Sequence, residues 1–227
     1  VPLYMEFSAV RTDLALEESE RRGGGIDGVR EQTSDEQGFH LTRVSVLDER
    51  GAESLCKPIG EYITLECPEL ARCEQQERQM LIRLIAQAVR ALLPREGEVL
   101  VVGLGNRNVT ADALGTRVVE RTLVTRHLGE SLAREMQGRL RGVSAIAPGV
   151  LGLTGIETAE LCRGLIQRVC PAAVIAIDAL AAFDSGRICS TIQITNTGIE
   201  PGSGVGNHRL GLTEETLGVR VVAVGVP

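Results

Sequence analysis

Apolar positions along the chain follow two rhythms, and the change from one to the other outlines its organisation. Gly60-Glu-Tyr-Ile-Thr-Leu-Glu66 alternates as a half-buried strand does and is closed by Pro68. A weaker alternation (Leu41, Val44, Val46) predicts a strand from Leu41 to Leu47. Between Glu69 and Leu93 the period lengthens: Met80, Leu81, Leu84, Ile85, Ala88 and Leu92 share one helical face, and Pro94 stops the helix. Short β-branched runs then alternate with helical stretches. Strands are predicted at Val99–Val102, Ser144–Ala147, Ala173–Ile177, Ser190–Thr195 and Val219–Val224. Helices are predicted from Asp112 to His127, from Leu132 to Leu140 and from Thr154 to about Cys170. Thr154 and Glu157 have the spacing of a capping box at the start of the last of these, and Pro171 follows its end.

Strands alternating with helices predict an α/β fold, a three-layer α/β/α sandwich around a mostly parallel central sheet, with small N-terminal strands added. Residues 21–38 open with Arg21-Arg-Gly-Gly-Gly25 and stay polar to Gly38, which reads as a flexible surface loop. Pro201-Gly-Ser-Gly-Val-Gly206 is a second loop, without the Lys-Ser/Thr of a phosphate-binding loop.

Composition narrows the classes. The 227 residues are 43% hydrophobic but only 2% aromatic, with no Trp, so the core is aliphatic. So few aromatics leave no platforms for stacking bases, and a net charge of -6 gives no attraction for phosphate backbones; no direct nucleic-acid partner is expected. No run approaches the roughly 18 apolar residues of a membrane span, and no signal-peptide pattern opens the chain, so no membrane partner and a cytoplasmic location are expected. The six cysteines form no Cys-x-x-Cys and no zinc spacing with histidine. They read as free or buried thiols, and neither a metal nor a cofactor is predicted.

The chemistry is predicted where two strands end. Val99–Val102 runs into Gly103-Leu-Gly-Asn106, a polar loop, and Asp112; Ala173–Ile177 runs into Asp178. Open α/β sheets keep their sites at the carboxyl ends of strands. Two carboxylates there can share one proton, giving an acid and a base together. Asn106 and Asn108, on the loop before Asp112, are candidates to orient water or substrate, or to shape the turn. The glycine pattern lacks the third glycine of a dinucleotide loop, since Asn108 stands in its place. On a continuous helix from Asp112, at about 1.5 Å per residue, His127 lies roughly 22 Å away, too far to join the pair.

Longer motifs carry a resemblance. VRTDLALEE, KPIGEYITLECPEL, VLVVGLGNRNVTADALG, VSAIAPGVLGLTGIETAEL, VIAIDALAA, TIQITNTGIEPGSGVGN and LTEETLGVRVVAVGVP, from Val10 to Pro227, resemble the germination proteases of spore-forming bacteria. The resemblance implies an endopeptidase acting on small acid-soluble spore proteins, aspartic in type, with its carboxylates at Asp112 and Asp178. It also implies a zymogen of the forespore and spore core, assembled as a homotetramer, whose relatives continue beyond Val226-Pro227. His208 stands where the family has Asn-Arg and is given no catalytic role. The Asp112 motif is similar to that of the hydrogenase maturation endopeptidases, where the aligned carboxylate binds nickel; no matching His ligand is present here. A nickel-dependent maturation protease and a non-catalytic binding module are the competing readings.

Thr12-Asp-Leu-Ala-Leu-Glu17 is similar to the cleavage sequence in the family's substrates, an acid followed by Ile-Ala-Ser-Glu. Self-cleavage between Asp13 and Leu14 is therefore expected, with residues 1–13 a propeptide and 14–227 one peptidase domain. A site that shares one proton also predicts activation by mild acidification.

Overall fold

The computed structural model describes residues 12–36, 38–68, 70–128, 140–200 and 210–227. Among them, eight strands form one sheet in the order β1-β2-β3-β7-β8-β6-β4-β5. The strands are β1 (Val29–Glu36), β2 (Phe39–Val46), β3 (Gly60–Glu66), β4 (Val99–Gly103), β5 (Val143–Ile146), β6 (Ala173–Ala179), β7 (Thr191–Thr195) and β8 (Arg220–Val226). The half holding β5, β4, β6 and β8 is parallel. The half from β1 through β7 to the edge of β8 is antiparallel. The expected α/β class holds, and the N-terminal strands extend the central sheet itself.

Alternation along the strands sends side chains to two helical layers. On one face, α3 (Gln75–Leu92) lies over Ile63, Leu65, Ile192 and Ile194. The same face carries α4 (Leu114–Arg121), which covers Val99, Val101 and Ile177. On the other, α6 (Thr158–Val169) and α7 (Glu214–Leu217) cover Leu100, Val102, Val174, Ala176 and Val221. There too α1 (Ala15–Arg21) and α2 (Glu49–Leu55) pack near Val44, Val46 and Tyr62. This is the predicted three-layer sandwich, with an aliphatic core.

Three expectations are corrected. Within the expected loop 21–38, Val29–Glu36 pairs with β2 along its whole length as an edge strand. Its side chains are nearly all exposed, so no apolar alternation announces it, and backbone bonds to β2 hold it. The helix after Asp112 ends at Arg121, because the β-branched Thr122, Val124 and Thr125 leave helical geometry. Thr125 Oγ1 instead accepts the Val143 N–H at 2.9 Å, fastening this segment to β5. The Thr154–Glu157 capping box does not form. Thr154 ends a separate turn, α5 (Leu151–Thr154), and α6 starts after Glu157 with no side-chain cap. Around the expected cut, Leu14, Ala15 and Leu16 are buried, so this segment is part of the fold. The expected helix from Leu132 and the loop from Pro201 to Gly206, with His208, lie outside the described residues, apart from Leu140 at the helix end.

Candidate active site

The two strands that end on acids are neighbours. β4 pairs with β6 in parallel, Gly103 opposite Ile177, and the Leu104 N–H continues the pairing by donating to the Ile177 carbonyl at 2.8 Å. The chain then loops through Asn106–Val109 and returns in a short 3-10 turn, Thr110–Asp112. Asp112 is held against this loop, its Oδ2 accepting the Asn106 N–H at 2.8 Å. Asn106 Oδ1 accepts the Asn108 N–H at 3.0 Å, so this amide shapes the turn. The Asn108 side chain is exposed.

Two glycines make the return possible. A Cβ on Gly105, which sits at φ +96, would collide with the Asp112 carbonyl oxygen. A Cβ on Gly115 would collide with the Ile177 carbonyl oxygen and the Leu104 nitrogen. The α4 backbone thus rests directly on both strand exits. Gly115→Ala should lower stability by about 1–3 kcal/mol through overpacking, and denaturant titration of the parent and variant measures it.

Asp178 stands at the carboxyl end of β6, 6% exposed, with Oδ1 accepting its neighbour Ala179's N–H at 2.9 Å. Burial pushes its carboxyl from an ordinary 3.8 up to about 7; the Ala179 N–H opposes this, and the negative charges of Asp112 and Asp13 add to it. Both acids predicted from the strand ends therefore follow adjacent parallel strands at their carboxyl ends, and the charge of Asp112 is felt by Asp178. Near neutral pH, Asp178 is the group able to hold a proton.

A third acid arrives from the N-terminal segment. Asp13 crosses the exit of β6, its N–H donating to the Ala181 carbonyl at 2.9 Å and its Oδ2 accepting the Ala181 N–H at 2.7 Å. Glu17 is buried as well, and its carboxylate accepts the N–H groups of Phe183 and Asp184 at 2.7 and 2.9 Å. Leu14, beside Asp13, is wholly buried. A cavity of about 490 Å³ opens next to this segment, lined in part by Thr12, Asp13, Lys57, Tyr62, Gln193 and Thr195. Lys57 donates from Nζ to the Thr12 carbonyl at 2.9 Å. Burial lowers its pKa, against the opposing charges of Asp13, Glu18, Glu200 and Cys56. Neither Lys57 nor Gln193 was singled out from the sequence. The available signal was an amide inside the otherwise apolar and threonine-rich run Thr191–Thr195.

His127 and Cys162 lie apart from this edge. His127 is exposed in the 3-10 turn Arg126–Leu128. Cys162 is buried on α6, and its thiol is pushed up to about 11 by that burial. Cys189 is exposed. Among the described residues no group of three or more His, Cys, Asp or Glu is disposed to hold a metal ion, and no helix is long and apolar enough to cross a membrane.

These features define an α/β protein with a carboxylate site at the carboxyl ends of its parallel strands. Residues 8–227 match the family model of germination protease (peptidase A25). The germination protease of Caldanaerobacter subterraneus subsp. tengcongensis is 51% identical over 221 residues, spanning 96% of this chain and 68% of that relative. That of Clostridium perfringens is 46% identical over 225 residues, 96% of this chain and 69% of the relative. That of Bacillus cereus is 46% identical over 237 residues, covering 100% of this chain and 64% of the relative. The chain belongs to the germination protease family and is a peptidase by descent.

Proposed function

We propose that this peptidase uses Asp112 and Asp178 as an aspartic-type pair, that it degrades small acid-soluble spore proteins in the forespore and spore core, and that it is made as a homotetrameric zymogen. The single observation that carries the mechanism is the burial of Asp178 where the charge of Asp112 is felt, which pushes its carboxyl up to about 7 and lets it hold a proton near neutral pH. Ionised Asp112 takes a proton from water as the water oxygen adds to the peptide carbonyl carbon. Protonated Asp178 donates to the carbonyl oxygen. Collapse of the tetrahedral intermediate breaks the C–N bond: the amine leaves with the proton from Asp112, and as the carbonyl re-forms one hydroxyl returns its proton to Asp178, which resets both acids. Asn106 and Asn108 keep the loop that carries Asp112 in register.

Residues 1–13 serve as the propeptide, and the chain cuts its own Asp13–Leu14 bond to leave the domain 14–227. The seating of Asp13 across the β6 exit supports this reading, because its charge is felt by Asp178. Acidification favours the step through the shared proton. N-terminal sequencing of protein matured at mildly acidic pH should begin at Leu14, and the matured protein should cleave a purified small acid-soluble spore protein. A different first residue removes the self-processing claim; an intact spore protein removes the substrate claim.

A further inference from the structure

The peptide groups on either side of Leu14 are held by one side chain. Gln193, on β7, donates from Nε2 to the Asp13 carbonyl at 3.1 Å, and its Oε1 accepts the Ala15 N–H at 2.8 Å. A primary amide presents a donor and an acceptor together, as a peptide group does, so it grips a backbone as a neighbouring strand would. Gln193 is 5% exposed. Its strand is paired on both sides, with β3 and with β8, so the amide stands on a central, rigid element. The adjoining backbone is held in the same way. Lys57 takes the Thr12 carbonyl, the Asp13 N–H bonds Ala181, and the Leu14 N–H donates to Thr12 Oγ1 at 3.0 Å.

A buried amide that only filled space would have no reason to meet this carbonyl rather than another. The Asp13 carbonyl is the one whose oxygen gains negative charge if the Asp13–Leu14 bond is hydrolysed. A donor already in place on that oxygen strengthens as the charge develops, and no reorganisation is needed at that moment.

We propose that Gln193 is a catalytic residue of this peptidase: its Nε2–H holds the carbonyl oxygen of the bond to be cut and stabilises the charge formed there, while its Oε1 fixes the register two residues on. The proposal rests on the reading of Asp112 and Asp178 as the hydrolytic pair. Gln193 transfers no proton; the proton and electron bookkeeping stays with the two acids. Once residues 12 and 13 have left, the same amide receives the corresponding carbonyl of a substrate chain.

Two variants test it in the full chain. Gln193→Met keeps the length and removes both polar atoms. Gln193→Glu keeps an acceptor and loses the donor, except when the carboxyl is protonated. The readouts are the first-order appearance of the Leu14 N-terminus, and kcat and KM on a quenched peptide with the sequence of residues 11–18. Both variants should be slower by about a hundredfold near neutral pH, chiefly in kcat. Relative to the parent at each pH, the Glu variant should recover as pH falls, because a protonated carboxyl donates again; the Met variant should not.

Folding is checked by thermal midpoint, and should the Met variant not fold, the pH recovery of the Glu variant decides. A folded Met variant within about threefold of the parent overturns the proposal, as does a Glu variant whose deficit is the same at every pH. A parent that cleaves the peptide but never matures at Leu14 refutes self-processing alone, and the peptide kinetics still judge Gln193. A parent that cleaves neither refutes the hydrolytic reading itself.

Discussion

Asp112→Asn and Asp178→Asn proteins should each fold as the parent does and lose at least about a thousandfold in the rate of self-processing and of peptide cleavage. Asn matches Asp in size, and at position 112 its amide oxygen can still accept the Asn106 N–H that ties the loop. What it lacks is a titratable proton. If Asp112 is the base, its replacement leaves the attacking water unassisted; if Asp178 is the acid, its replacement leaves the carbonyl oxygen without a proton. The double variant should cost little more than either single one, since two groups that complete one proton circuit fail as a unit. Cys162→Ala, Cys189→Ala and His127→Ala proteins should keep measurable cleavage, because none of these side chains has a part in the proton circuit of the two acids. Full activity in either folded Asn variant would remove the aspartic mechanism.

The same Asp178 change should make the fold more stable at alkaline pH. The folded carboxyl titrates at about 7 against an ordinary 3.8. Between those values the folded chain keeps a proton that the unfolded chain has released. Stability from this group is therefore complete below the ordinary value, declines as pH rises through the interval, and is lost above about 7. A difference of about 3 in pKa, at about 1.36 kcal/mol each, sets an upper bound of about 4 kcal/mol. The amide that replaces the carboxyl cannot ionise and still accepts the Ala179 N–H. Urea titrations at pH 5 and pH 8 should show a parent that weakens across this range and an Asp178→Asn protein that weakens less. At pH 8 the variant should be the more stable of the two. Equal pH dependence in both proteins would show that Asp178 is not the buried proton holder. Under the proposed mechanism Asp178→Asn therefore poses one trade, lost cleavage against a more stable fold at alkaline pH.

Much of this site is legible in the sequence. The Val99–Val102 and Ala173–Ile177 runs become β4 and β6, and both acids stand at their exits. Buried parallel strands must be continuous apolar runs, so the acid that ends each run is visible as a break in the pattern. Gly103 and Gly105 mark a close approach of backbone to backbone, since a Cβ on either would collide with the carbonyl oxygen of Gly115 or of Asp112. The failures have equally local causes. β1 carries no apolar alternation, because it is an edge strand whose side chains face water. Thr154 and Glu157 have capping spacing, but Gly155 in the left-handed region ends one turn before the next helix begins.

The sequence by itself determined the strands from β2 to β8, the helix α3, the aliphatic core and the two strand ends that carry acids, because periodicity and breakers act over a few residues. Only the tertiary structure decided that β4 lies against β6, so that the charge of Asp112 reaches Asp178, and that Asp13 crosses the β6 exit. It also decided that Gln193 and Lys57 reach the backbone around Leu14. These contacts join positions far apart in the chain. They follow from strand order and from which face each residue presents, and no local pattern encodes either. The strength of Asp178 as an acid is likewise tertiary: a carboxylate's affinity for its proton is set by the water it loses and the charges brought near it, and both come from segments remote in sequence.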